Sequence, residues 1–133
     1  MVHLPRQVEY ALMVLAEMHA GLPGELFSVR ALVESLALPY DVTAKAMQGM
    51  NRAGILSSAQ GKQGGYRIAS DLRTVSLDAL VEAVAAPPAL TACLIHDGHC
   101  SYHDRCTIRT SIARLDNRVR QLFRDVSLFD LVA

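Results

Sequence analysis

Cys93, Cys100 and Cys106 are the only cysteines in the chain, and they fall within fourteen residues, Cys93-Leu-Ile-His-Asp-Gly-His-Cys100-Ser-Tyr-His-Asp-Arg-Cys106. An odd number of thiols this close together does not build a disulfide framework. In a reducing compartment it points to metal, cluster or redox chemistry, because thiolates bind soft metals and react with oxidants. The intervals of six and five residues match neither the paired cysteines of a zinc ribbon nor a CxxC redox motif. His96, His99 and His103 lie in the same stretch and are further ligand candidates, although a loop histidine is more often simply solvated. Gly98 lets the backbone wrap closely around a compact group, and Arg105 and Arg109 bring positive charge to offset that of thiolates.

The rest of the chain must position these thiols. At 133 residues, 51% hydrophobic and 20% charged, it is the size of one compact domain with an extra element available to a second copy. No apolar run is long enough to span a bilayer and no secretory signal is legible at the start, which predicts a cytoplasmic protein. Val8, Ala11, Leu12, Leu15 and Met18 have helical spacing over residues 6–20, ending at Gly21 with Pro23-Gly24 as a turn. Ser28 is a good N-cap for a short helix carrying Val29, Leu32, Val33 and Leu36, which Leu38-Pro39 interrupts. A third helix is expected from Asp41, as a capping residue, through Ala53, with Gly54 as its left-handed stop. The period then changes: Ile55-Leu56, a glycine-rich turn over residues 61–65, and Tyr66-Arg67-Ile68 read as a hairpin. Three short helices followed by a hairpin predict a mainly α winged helix-turn-helix over residues 1–75.

Residues 76–133 follow as a second region. Ser76 caps an amphipathic helix (Leu77, Leu80, Val81, Val84) that Pro87-Pro88 stops, and the cysteine loop occupies residues 87–106. Ile108, Ile112, Leu115, Val119, Leu122 and Val126 then repeat at alternating spacings of four and three, an a/d seam about five turns long over residues 107–126, with a tail after it. A one-sided stripe must be covered either by the chain's own body or by an identical helix, and a homodimer is the reading adopted. The formal net charge is zero, yet Lys45, Arg52, Lys62, Arg67 and Arg73 face only Asp71 between residues 42 and 73. Such local bias matters more than the total, since attraction to phosphate acts over roughly 10 Å at moderate salt. An enzyme is not expected: the glycines at 61, 64 and 65 lead into a strand and not a phosphate-binding helix, and no nucleophile, base and orienting acid stand out.

The order of elements and several local motifs resemble the Rrf2 family of bacterial transcription regulators. The matching pieces are Val8-Glu9-Tyr10-Ala11-Leu12, Ala44-Lys45-Ala46-Met47-Gln48, Ala53-Gly54-Ile55-Leu56, Gly64-Gly65-Tyr66-Arg67-Ile68-Ala69, the segment from Ser76 to Val84, the three cysteines, and Val126-Ser127-Leu128-Phe129-Asp130-Leu131. The similarity covers nearly the whole chain and looks most like members that regulate iron-sulfur assembly, with nitric-oxide and iron-responsive branches also similar. It implies a dimer with crossing C-terminal helices and an iron-sulfur cluster, two-iron or four-iron, on Cys93, Cys100 and Cys106. Some members place a histidine three residues after the last cysteine; here Arg109 stands there and cannot ligate. Others recruit an acidic residue from the first helix of the opposite subunit, which makes Glu9 the leading fourth ligand, its plainer reading being an exposed residue paired with an arginine.

For reading promoter DNA the third helix is the major-groove element, with Tyr40, Asp41, Thr43, Ala44, Lys45 and Gln48 as contact residues. Lys45 suits phosphate or guanine and Gln48 an adenine edge, whereas Val42, Ala46 and Met50 are expected to pack inward. The family's wing carries an arginine just before its first glycine, but Gln60 occupies that place, leaving Gln60 or Lys62 to approach the minor groove. Two other readings compete: a DNA-binding regulator whose thiols sense oxidants or bind zinc without a cluster, and a winged-helix module that binds protein.

Overall fold

The computed structural model describes residues 3–85, 89–94 and 100–133. Pro87-Pro88, Gly98, His96 and His99 fall outside them. The helices are α1 (Arg6–Ala20), α2 (Val29–Leu36), α3 (Tyr40–Arg52), α4 (Leu77–Val84), α5 (Arg109–Asp125) and α6 (Leu128–Val132), with strands β1 (Leu56–Ala59) and β2 (Gly65–Ile68) between α3 and α4. Short 3₁₀ turns at Ala92–Leu94 and His103–Arg105 shape the cysteine segment.

Local chemistry explains most of the boundaries. The hydroxyls of Ser28 and Ser76 accept the amides of Ala31 and Ala79, both at 3.1 Å, which fixes the starts of α2 and α4. Such caps contribute about 1 kcal/mol each. At the end of α3, Gly54 takes φ +79° while its amide bonds to Asn51 O (3.1 Å) and that of Ile55 to Met50 O (3.0 Å). That pairing is a Schellman stop, as the sequence predicts. The start of α3 differs from expectation. Pro39 is the N-cap, its carbonyl accepting the Thr43 amide, and no side chain caps the helix. Asp41 therefore sits inside the first turn, where its charge complements the helix dipole. Proline wins the boundary because its fixed φ suits a helix entrance.

The wing pairs Leu56 with Ile68, Ser57 with Arg67, Ser58 with Tyr66 and Ala59 with Gly65 in antiparallel register. Its first strand is longer than Ile55-Leu56 and runs through polar residues, because pairing with β2 overrides their weak strand propensity. A further bridge joins Phe27 to Tyr66 through two hydrogen bonds of 2.8 Å. A Cβ on Gly65, whose φ is +150°, would meet Phe27 O at 2.5 Å, so only glycine lets that bridge close. The wing is thus tied to the entrance of α2.

One core joins the elements. Val8, Ala11, Val14 and Leu15 of α1 are fully buried beside Met47, Met50, Leu56, Leu80, Val81 and Leu128. The last of these belongs to α6, which the sequence reading leaves as a tail. Ser127 and Asp130 form a reciprocal capping box there. The adjoining backbone is stitched to the front of α4, Leu77 N to Val126 O at 2.9 Å and Leu128 N to Val75 O at 2.8 Å. α3 packs on α4 at Gly49, where a Cβ would fall on the carbonyl oxygen of Ala83. No helix among the described residues is long and apolar enough to cross a membrane.

Candidate functional site

On α3, residues 41, 45, 48 and 52 recur at spacings of four and three and so share one face. Asp41, Lys45, Gln48 and Arg52 are all exposed, and Tyr40 beside them is 53% exposed. Ala44 is half-buried. Thr43 is a correction: it is 0% exposed, with no protein partner for its hydroxyl, and cannot reach a base edge. It points inward with Ala46, Met47 and Met50, because the core claims the whole opposite side of the helix. Arg52 extends the polar face by a turn and adds a cation that the sequence gives no reason to separate from ordinary surface charge. At the wing tip Gln60 and Lys62 are exposed, and Gly64 N bonds to Gly61 O at 3.0 Å to close the turn. α3 and the wing each present exposed polar residues, and the Phe27–Tyr66 bridge ties the wing to the entrance of α2.

The thiol segment is organised differently. Cys93 and Cys100 are half-buried, Cys106 is exposed, and all three are free thiols. Thr91 Oγ1 lies 3.1 Å from Cys93 Sγ. His103 has Asp104 Oδ1 at 3.5 Å from Nδ1, and its Nε2 meets the guanidinium of Arg109. Leu90 N donates to Asp116 Oδ1 of α5 at 3.0 Å, anchoring the start of the segment. Among the described residues no group of three or more His, Cys, Asp or Glu stands together as a metal centre. The three cysteines are near in sequence but are not gathered within the protomer. Glu9 pairs with Arg6 at 3.2 Å, the plainer of its two expected roles. As a donor set, three thiols uncommitted to disulfides fit a soft-metal or iron-sulfur group in kind. Holding one would require the segment to gather around it.

α5 has no buried residue. Its caps are Ile108 and Val126, so the expected seam begins and finishes just outside the helix. Ile108, Leu115 and Leu122, seven residues apart, are 59%, 48% and 60% exposed. On the inner side Phe123 packs half-buried against the core, and toward α4 the helix carries Arg120, 3.7 Å from Glu82, and Arg124, 3.5 Å from the buried Asp78.

This fold is a winged helix-turn-helix, mainly α, with a long helix appended. The chain belongs to the Rrf2 family, whose model, described as an iron-dependent transcriptional regulator, matches residues 4–133. Among curated relatives, the HTH-type transcriptional regulator IscR of Vibrio vulnificus is 29% identical over 84 residues, covering 63% of this chain and 49% of that protein. The chain thus matches about half the length of that relative. Among solved structures, the oxidized form of Staphylococcus aureus CymR superimposes with a TM-score of 0.73 at 14% identity, over 98% of this chain and 96% of that one. T. potens IscR gives 0.65 at 16% identity, over 97% and 85%. At such identities the two structures show the shared fold alone. The family is one of transcriptional regulators, in keeping with the expected absence of enzymatic machinery.

Proposed function

We propose that this chain is a cytoplasmic transcription regulator that binds a two-fold promoter site as a homodimer and is controlled by an iron-sulfur cluster. The observation that carries the reading is the set of exposed polar residues on α3 and at the wing tip in the same chain as three free thiols close in sequence. Residues 1–75 would act as the DNA-reading region and residues 76–133 as its sensing and pairing region. Tyr40, Asp41, Ala44, Lys45 and Gln48 would meet the major groove, with Gln60 and Lys62 at the wing. Cys93, Cys100 and Cys106 would hold the cluster, with a fourth position for Glu9 from the opposite subunit or for His96, His99 or His103. When bound, the group supplies a redox-active iron centre. The chain's own part is to present the thiolates, to offset their charge with Arg105 and Arg109, and to hold the segment against α5 through Asp116.

A second reading, thiol oxidation without a cluster, is supported by Cys106, an exposed free thiol that an oxidant can reach. One experiment separates them. Protein purified without oxygen should be coloured and hold iron and sulfide, and Cys100→Ser should lose both. A colourless, iron-free wild type after anaerobic reconstitution overturns the cluster reading. A reversible change of DNA affinity with thiol oxidant in that same protein would establish the second.

A further inference from the structure

Along α5, Asp116, Arg120 and Arg124 recur every four residues and so form one row. One end of the row reaches the cysteine segment and the other two members reach α4. Asp116 accepts the Leu90 amide at 3.0 Å, Arg120 lies 3.7 Å from Glu82 and Arg124 3.5 Å from Asp78. Glu82 and Asp78 are themselves four residues apart on α4, so the two helices carry matched rows of opposite charge. α4 in turn rests on α3 with no side chain between them at Gly49. A contiguous chain therefore runs from Leu90, three residues before Cys93, through α5 and α4 to the helix that faces outward at Lys45 and Gln48.

We propose that Asp116, Arg120 and Arg124 are positioning residues that transmit the state of the cysteine segment to α3. The inference rests on the reading of the segment as a sensor and of α3 as the reader. Two features fit it to transmission as well as to stability. Asp78 is 7% exposed, has one carboxylate oxygen without a protein partner and depends on Arg124 for the other; Arg120 Nε is also buried without one. Loosening the hold on Leu90 at one end of the row would alter which of these polar groups are satisfied. Gly49 then allows a shift of α4 to act directly on the α3 backbone, because close-packed backbones leave no side chain to absorb it.

The test uses the full chain and a perturbation that needs neither iron nor DNA. Alkylating the three thiols with iodoacetamide should raise amide hydrogen exchange in α4 and α3 of the wild type by about threefold or more, a change that reports local opening. In Asp116→Ala the increase should stay within residues 89–106. Asp116→Asn keeps an oxygen acceptor for Leu90 and should restore the wild-type pattern, which a purely electrostatic role would not. An unchanged α3 in alkylated wild type, or equal spread in Asp116→Ala, overturns the proposal. Iron and sulfide counts on the same preparations test the cluster reading separately: an iron-free wild type sinks that reading and leaves the exchange result to decide this one.

Discussion

At the scale of single residues, α3 shows how one helical phase divides contact from core. Thr43 and Ala44 are neighbours, yet the first is fully buried and the second half-exposed. Thr43→Val removes a buried hydroxyl with no protein partner and keeps the shape of the side chain. Such a change should leave stability unchanged or raise it by up to about 1 kcal/mol. DNA affinity should stay within about twofold, because the residue lies behind the exposed face proposed to read DNA. A large loss of affinity in a folded variant would show that Thr43 reaches DNA after all. Lys45 is the opposite case. Exposed at the centre of the 41-45-48-52 face, it should act mainly through phosphate. Lys45→Ala is expected to weaken binding and to lower the slope of log affinity against log salt by about one. An unchanged slope in a titration from low to moderate salt would move the phosphate contact elsewhere.

At the scale of elements, the joint between α3 and α4 carries the sharpest steric constraint. Gly49→Ala must push Ala83 away, and a backbone carbonyl cannot swing aside as a side-chain tip can. The expected cost is about 1–3 kcal/mol, read as a lower urea midpoint with an unchanged slope. A wild-type midpoint would mean that α4 yields without strain. This joint is invisible in the sequence, where a glycine inside a helix says only that propensity is poor. The legible elements were those with their own local signals: Ser28 and Ser76 as caps, Gly54 as a stop, the spacing of Val8, Ala11 and Leu15. α6 was not legible, because a five-residue helix owes its existence to the Ser127–Asp130 box and to the burial of Leu128 rather than to length. The bridge at Phe27 is a single long-range pairing with no periodicity to reveal it. For the site, spacing picks out the thiols and position in the third helix picks out its early residues, but Thr43 cannot be separated from Lys45 without knowing which side the core claims. How the cysteines would gather lies beyond what local spacing encodes, since it would depend on the group they enclose.

At the scale of the whole molecule, the open question is what covers α5. Phe123 and the polar row at 116, 120 and 124 hold the helix on its own protomer, while Ile108, Leu115 and Leu122 project from a different side at about half exposure or more. Burying an isoleucine or leucine fully is worth about 1.5–3 kcal/mol, so three per chain at a two-fold interface supply a substantial drive for pairing. In the proposed homodimer a second copy would cover the stripe with the same residues from the other side. If pairing stabilises the fold, the unfolding midpoint must rise with protein concentration, because dimer stability depends on mass action. Replacing Leu115 and Leu122 together with aspartate should give a monomer in sedimentation, with a midpoint independent of concentration. Core residues such as Leu80 and Leu128 remain in place in that variant, so its secondary structure should survive. Its affinity for a two-half-site DNA should fall much further than its affinity for a single half-site, since linkage of two readers multiplies affinity only while the link exists. A wild type that sediments as a monomer at micromolar concentration, or a double variant that binds both DNAs like wild type, would show that α5 serves another partner.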